Sequence, residues 1–248
     1  MNRYKLIIAY DGTDYNGWQI QPGVKTIAGV LQDSFYKTFQ VPCQLVGTSR
    51  TDTGVHALGQ VAECRTDINL PEQKLLSAWN NSLPPDIVIR SLKAAEETFK
   101  LFKQVDYKLY YYHFFLQRPL PFIQRYGNFY RYALDLEKLD HALQIFVGTH
   151  DFRSFCTGDE RSNTIRTIDS ISLEHFRRFD MYRIAIKGPS FLRYMIRRIV
   201  GAALDVSSHD ELPIVVLQEA LDKKDPRQLL PTAPAKGLLL YKINYKGG

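Results

Sequence analysis

Twice in succession the chain runs through the same order of hydrophobic periods, and that order limits the folds open to it. Residues 3–10 (RYKLIIAY) have the β-branched and aromatic content of a strand, and a Gly-rich loop follows. Thr26 then precedes Ile27, Val30, Leu31 and Phe35, a cap ahead of one apolar helical stripe that Pro42 must end. Residues 43–48 and 59–65 read as strands, Pro71 opens a helix through about Asn81, and the Pro84–Pro85 turn leads to a strand at 87–93. The second half begins with a strand at 107–116 and a helix at 135–147 capped by Asp135. Paired strands at 164–175 and 181–187, helices at 191–206 and near 212–223, and a strand at 237–245 complete it.

The order β-α-β-β-α-β followed by β-α-β-β-α-α-β predicts an α/β (α+β) protein. It would comprise two tandem ferredoxin-like split βαβ units with mainly antiparallel sheets and helices on one face of each. The expected domains are 1–104 and 105–248. Segment 98–106 is too short for a flexible linker, so the two units are expected to enclose a central cleft.

A chain of 248 residues, 45% hydrophobic and 23% charged, has ample apolar material for such cores and is not disordered. The apolar run near the N-terminus is five residues long, too short for a secretory signal, and no stretch is long enough to span a membrane. Cys43, Cys64 and Cys156 are widely spaced and odd in number, which speaks against a disulfide framework. The expectation is a cytoplasmic protein. Its net charge is +6, and residues 161–198 hold nine basic side chains against Asp169, Glu174 and Asp180. A polyanionic partner fits that balance. No GxxxxGK[ST], GxGxxG or HExxH occurs, and the six histidines do not cluster, so neither cofactor nor metal is expected.

Four segments remain as carriers of chemistry. The loop GTSRTDTGVHALGQVA (47–62) gathers Arg50, Asp52 and His56, with Gly54 able to turn the chain and present Asp52. A turn aspartate bonded to its own backbone and a structural histidine are the plain alternatives. The loop YDGTDYNGWQIQPG (10–23) interleaves aromatics with amides, including Trp18 and Gln19, which suits stacking on bases. A local core around Trp18 would produce the same pattern. In YKLYYYHFF (107–115), alternation sends Tyr110 and Tyr112 to one face and Tyr111 to the other. In FLRYMIRRIVGAALDV (191–206), Arg193 and Arg197 flank one edge of a buried helical arc and Arg198 the other, and helical geometry does not choose among them.

Together these segments resemble the TruA family of tRNA pseudouridine synthases. The resemblance rests on YDG-T-x-Y-x-GWQ-x-Q (10–21), SRTDTGVHALGQVA (49–62), N-x-LPPDI (81–87) and K-x-Y-x-Y (108–112). It extends through HDFRSF (150–155), FLRYMIRRIVG (191–201) and TAPAKGLLL (232–240). It implies conversion of uridine to pseudouridine at positions 38, 39 and 40 of the anticodon stem-loop, a homodimer, and no cofactor. By the same resemblance Asp52 is the catalytic aspartate, Tyr110 the aromatic against the target base, Arg197 the ion-pair partner of Asp52, and Arg50 an RNA contact. His56, Trp18 and Gln19 join Arg50 and Tyr110 as expected substrate-binding residues. Ser49 and Thr53 stand where family members often carry Gly and Ala, and Phe99–Lys100–Leu101–Phe102 where F-H-A-R is common. From the residues alone, a non-catalytic RNA-binding module and an aspartate-nucleophile glycosidase or nucleoside hydrolase are the competing readings. The second usually needs a paired carboxylate that the Asp52 loop does not contain.

Overall fold

A computed structural model describes residues 1–157 and 163–246. Along the chain come β1 (Asn2–Tyr10), α1 (Ile27–Phe39), β2 (Gln44–Gly47), β3 (His56–Thr66), α2 (Glu72–Ser82) and β4 (Ile87–Ala94). Then follow β5 (Val105–Phe115), β6 (Asn128–Phe129), α3 (Leu136–Gln144), β7 (Gly148–Asp151), β8 (Ile165–Ile168), β9 (Ser170–Phe176) and β10 (Met181–Gly188). The last are α4 (Met195–Ser207), α5 (Val215–Lys223) and β11 (Leu238–Tyr245). The chain divides into two compact units, one of Met1–Asp106 with Leu239–Gly248 and one of Tyr107–Leu238.

In the first unit β4, β1, β3 and β2 lie side by side, each neighbouring pair antiparallel, which is the strand order of a split βαβ sheet. The register puts Tyr4 opposite Cys64, Leu6 opposite Ala62 and Ile8 opposite Gln60 on one buried face. Opposite-face positions carry ions: Glu63, almost wholly buried, is held by Arg3 and Arg65, each 2.6 Å away. Burial alone would raise its carboxyl; the two guanidiniums outweigh that and hold it below its ordinary value. Thr26 caps α1 as expected, its hydroxyl accepting the Gly29 N–H. Trp79 of α2 is fully buried edge-on against Phe35 of α1, ring centroids 4.7 Å apart. Its indole N–H reaches Leu31 O at 3.2 Å and Ser34 Oγ at 3.1 Å, so this bulky ring leaves no unpaired donor. Truncating such a residue to Ala typically costs about 3–5 kcal/mol. β11 pairs parallel with β3 at Leu239–His56 and Leu240–Ala57, beyond the end of β2.

In the second unit β5, β10 and β9 form an antiparallel sheet. Lys108, Tyr110, Tyr112 and Phe114 share one face with Gly188, Ile186, Ile184 and Tyr182 of β10. Ile184, Ile186, Tyr112 and Phe114 are buried there, as are Leu139 and Leu143 of α3 and Ile199 and Val200 of α4. Asp135 caps α3, accepting the Lys138 N–H at 2.9 Å.

Several boundaries differ from the sequence reading, β3 for one beginning at His56 rather than 59. α3 ends at Gln144 rather than 147. The single strand expected at 164–175 is two, because β8 turns away at Asp169 to pair with β7, a four-residue strand whose GTHD sequence carries no hydrophobic period. α4 starts at Met195 rather than 191, because Tyr194 adopts a left-handed backbone, φ 62°. Among the described residues no helix is long and apolar enough to cross a membrane, and all three cysteines are buried and free of disulfides.

Candidate active site

The segment 48–55 leaves β2 and enters β3, and its side chains divide into anchors and presented groups. Thr48, Ser49 and Thr51 are buried, whereas Arg50 and Thr53 are exposed and Asp52 is half-buried. Each anchor has a named partner. Thr48 N–H donates to Val61 O at 2.8 Å, and its hydroxyl bonds the Tyr245 hydroxyl at 2.7 Å. The Ser49 peptide is held at both ends by the side chain of Gln60. The Thr51 hydroxyl bonds the buried Tyr10 hydroxyl at 2.8 Å. A turn then closes from Val55 N–H to Asp52 O at 3.1 Å through Gly54, whose φ of 77° suits glycine.

The two loops singled out in the sequence form one structure. Thr51 O accepts the Trp18 N–H at 3.1 Å, and Tyr15 O accepts the Gly54 N–H at 3.2 Å. Gly17 makes the approach possible: its φ is 82°, and a Cβ there would stand 2.5 Å from Thr51 O. Trp18 is 2% exposed and lies against Gly47 and Tyr10, so it supports the Asp52 segment from the core side. Gln19 is exposed. His56 is 4% exposed and belongs to β3 rather than to the loop. Its Nδ1 lies 3.1 Å from both the Gly12 N–H nitrogen and Asp11 Oδ1. That nitrogen serves one at a time: protonated it donates to Asp11, unprotonated it accepts from Gly12. His56 and Trp18 are thus buried between the two loops and the core, while Arg50 and Gln19 are exposed.

In the second unit, Tyr110 is 6% exposed, its ring edge-on to Phe191 at 5.3 Å. Tyr112, one register step along the same face, donates its hydroxyl to Pro234 O at 3.2 Å. Burial pushes its phenol well above the ordinary value, and the Arg197 charge opposes that only in part. Arg197 Nε donates to Ala233 O at 2.8 Å, and the Ala233 N–H returns a bond to Arg197 O at 2.9 Å.

The two neighbouring arginines that helical periodicity left equivalent are different in kind. Arg198 turns its Nη1 to Cys156 O at 3.1 Å and Ser154 O at 3.3 Å, closing the carbonyl end of the short turn Arg153–Phe155. The basic stretch 161–198 divides in the same way. Arg183 pairs with Glu174 and lies between the rings of Tyr111 and Phe176, at 4.1 and 4.3 Å. Arg166 bonds local carbonyls. Arg177, Arg178 and Arg193 are exposed, and Arg161 lies outside the described residues.

Three groups escaped the sequence reading. Gln60 and Tyr10 are the anchors of the Asp52 segment, and nothing in the order of residues marks them as such. Lys108 could have been found, because alternation puts it on the face of Tyr110 and Tyr112, where a lysine is out of place. Burial lowers its ammonium to about 8. Among the described residues no group of three or more His, Cys, Asp or Glu could hold a metal ion.

Comparison with known proteins identifies the family. Residues 6–108 and 142–246 match the profile described as tRNA pseudouridine synthase. A protein of Pseudothermotoga lettingae named tRNA pseudouridine synthase A is 35% identical over 251 residues, 99% of this chain and 100% of its own. Its namesakes from Thermodesulfovibrio yellowstonii and a Thermoanaerobacter species are 35% and 36% identical, again over 99% of this chain and all of theirs. The chain therefore belongs to the tRNA pseudouridine synthase family, and is an isomerase that makes pseudouridine.

Proposed function

We propose that this synthase isomerises uridine in the anticodon stem-loop of tRNA, at positions 38, 39 and 40, with Asp52 as catalytic nucleophile or base. The observation that carries the reading is the anchored segment 48–55. Its buried side chains are committed to the core while Arg50 is left exposed and Asp52 half-buried. Preorganisation of that kind suits a reacting group, because little ordering remains to be done when substrate arrives.

Pseudouridine formation breaks N1–C1′, turns the uracil and joins C5 to C1′. A proton leaves C5 and one arrives at N1, so the product is an isomer and the enzyme returns to its starting state without a co-reactant. A carboxylate serves each available route: addition to C1′, addition to C6, or removal of the C2′ proton. Arg197 is the ion-pair partner that keeps Asp52 charged and oriented, a task to which a planar guanidinium is suited. Tyr110 gives the uracil a face to lie against and a hydroxyl near C5. A positioned proton acceptor there is worth ~10²–10⁴ in rate.

The target base must leave its stack, which costs a few kcal/mol and less in a loop or at a stem end. Arg50 and Gln19 contact the RNA beside it, and Arg177, Arg178 and Arg193 hold phosphates farther along. The working form is a cytoplasmic homodimer, in which one rigid tRNA reaches from one subunit to its partner.

Mapping pseudouridine in unmodified tRNA after incubation with the purified protein tests the proposal. Modification at 38, 39 or 40 is expected. Modification only outside the anticodon arm overturns the assigned positions, and a monomer with intact activity by light scattering overturns the cross-subunit arrangement.

A further inference from the structure

Tyr194 is the residue whose backbone is hardest to explain locally. It stands at the N-terminus of α4 with φ 62° and ψ −3°, in the left-handed region that disfavours side chains other than those of Gly, Asn and Asp. Glycine would hold that backbone without strain. A strained non-glycine residue persists where its surroundings hold it, and such residues gather at functional sites.

Its ring supplies what glycine would lack. The Arg197 guanidinium carbon lies 4.9 Å from the ring centroid, and that of Arg193 lies 5.2 Å away. One turn of helix separates Tyr194 from Arg197, and the Tyr194 carbonyl accepts the Arg198 N–H at 2.9 Å, so the left-handed residue is already joined to the helix. Arg197 is held at a second point, where Nε donates to Ala233 O at 2.8 Å. The Ala233 bond sets Nε, and the aromatic neighbour restrains the guanidinium group beyond it. The Nη1–Nη2 edge is the part of the guanidinium to which these two contacts make no claim, and it is a fork that fits a carboxylate.

We propose that Tyr194 is a positioning residue for the isomerisation: its left-handed backbone aims an aromatic ring at Arg197 and fixes the direction in which that guanidinium presents its fork. The inference rests on the reading of Arg197 as the partner of the catalytic carboxylate. The ring acts through Arg197 and touches no reacting atom. The left-handed strain is tolerated because it sets the ring where a right-handed residue at this position would not.

Three variants of Tyr194 and one of Arg197 test this by steady-state kinetics on tRNA and by thermal unfolding. Tyr194→Phe keeps the ring and should keep kcat within about twofold of the parent. Tyr194→Gly and Tyr194→Asn suit the left-handed backbone but remove the ring. They should lower kcat about tenfold with KM little changed, while Tm holds or rises. A merely structural residue would move kcat and Tm in the same direction. The proposal is overturned if the Gly and Asn variants keep parental kcat, if kcat and Tm fall together in both, or if the Phe variant loses as much as the Gly variant. Arg197→Lys separates the two claims. If it is inactive while the Gly and Asn variants are fully active, only the role of Tyr194 fails. If it keeps full activity, the reading of Arg197 fails and takes this proposal with it.

Discussion

The carboxamide of Gln60 grips the backbone of Ser49 at both ends, donating to its carbonyl at 2.6 Å and accepting its N–H at 3.2 Å. Gln60 is fully buried, so the side chain acts as a substitute strand partner at the point where β2 has already ended. Asp52 is three residues downstream. Gln60→Leu removes both bonds and leaves a donor and an acceptor unpaired in the interior, at about 1–3 kcal/mol each. The denaturant midpoint should fall accordingly, and kcat should drop at temperatures where the variant is still folded. Unchanged kcat in the folded variant would show that the grip serves stability alone.

The catalytic assignment is tested by Asp52→Asn, which keeps size and hydrogen bonding and removes the charge. Turnover should fall below detection while affinity for tRNA stays within about tenfold, or 1.4 kcal/mol. Residual activity above about 1% of the parent, in protein free of deamidation, would falsify the assignment. Adding Arg197→Lys to Asp52→Asn should cost almost nothing further, because groups that act as one unit are not additive.

Arg197 and Arg198 are neighbours with opposite expected phenotypes. Arg197→Lys replaces a planar fork by a point charge and should be severely impaired in kcat with little loss of stability. Arg198→Lys gives up one of two carbonyl bonds, at about 1 kcal/mol, and should lower Tm while kcat stays near the parent. Equal kcat losses in the two variants would contradict the division of labour.

Much of this was legible in the sequence. Strand alternation and helical stripes are set by burial on one face, and burial dominates wherever an element is long, as in β1, α1, β5 and α4. β7 was not legible, since four residues cannot carry a period. The start of α4 was missed because apolar spacing continues back through Phe191 and Leu192, whereas the helix begins only after a left-handed residue that spacing does not encode. The loop position of Asp52 and Arg50 was visible, and the structure leaves Arg50 exposed and Asp52 half-buried there. The partners of His56 and Trp18 were not, because the order of residues does not encode that one would bond Gly12 and the other lie against Gly47.

The tip of the β9–β10 hairpin offers a test of RNA contact. Arg177 and Arg178 sit in its turn and are exposed, whereas Arg183 on the adjoining strand is committed to Glu174 and two rings. Replacing Arg177 and Arg178 together by Gln should weaken tRNA binding and reduce the slope of log K against log salt by about 1–2, one for each lost phosphate contact. An identical slope from low to high salt would remove the hairpin from the RNA-binding face.

Lys108 makes stability depend on pH in a direction set by its burial. In the folded chain the ammonium titrates at about 8, below its ordinary 10.5, because burial disfavours the charge. Below pH 8 the lysine is protonated in both folded and unfolded chains, and the folded state carries the full penalty of the buried charge. Between 8 and 10.5 the unfolded chain still holds the proton that the folded chain has released, so this group's contribution to stability rises with pH across that window. Denaturant unfolding from pH 7 to 10.5, with Lys108→Met as the reference, isolates the effect from every other titrating group. The parent should gain on the variant by on the order of 3 kcal/mol over the window, since each unit of displacement is worth about 1.4. If the two stability curves run parallel from pH 7 to 10.5, the lysine beside Tyr110 keeps its ordinary titration and its burial is offset by an opposing charge.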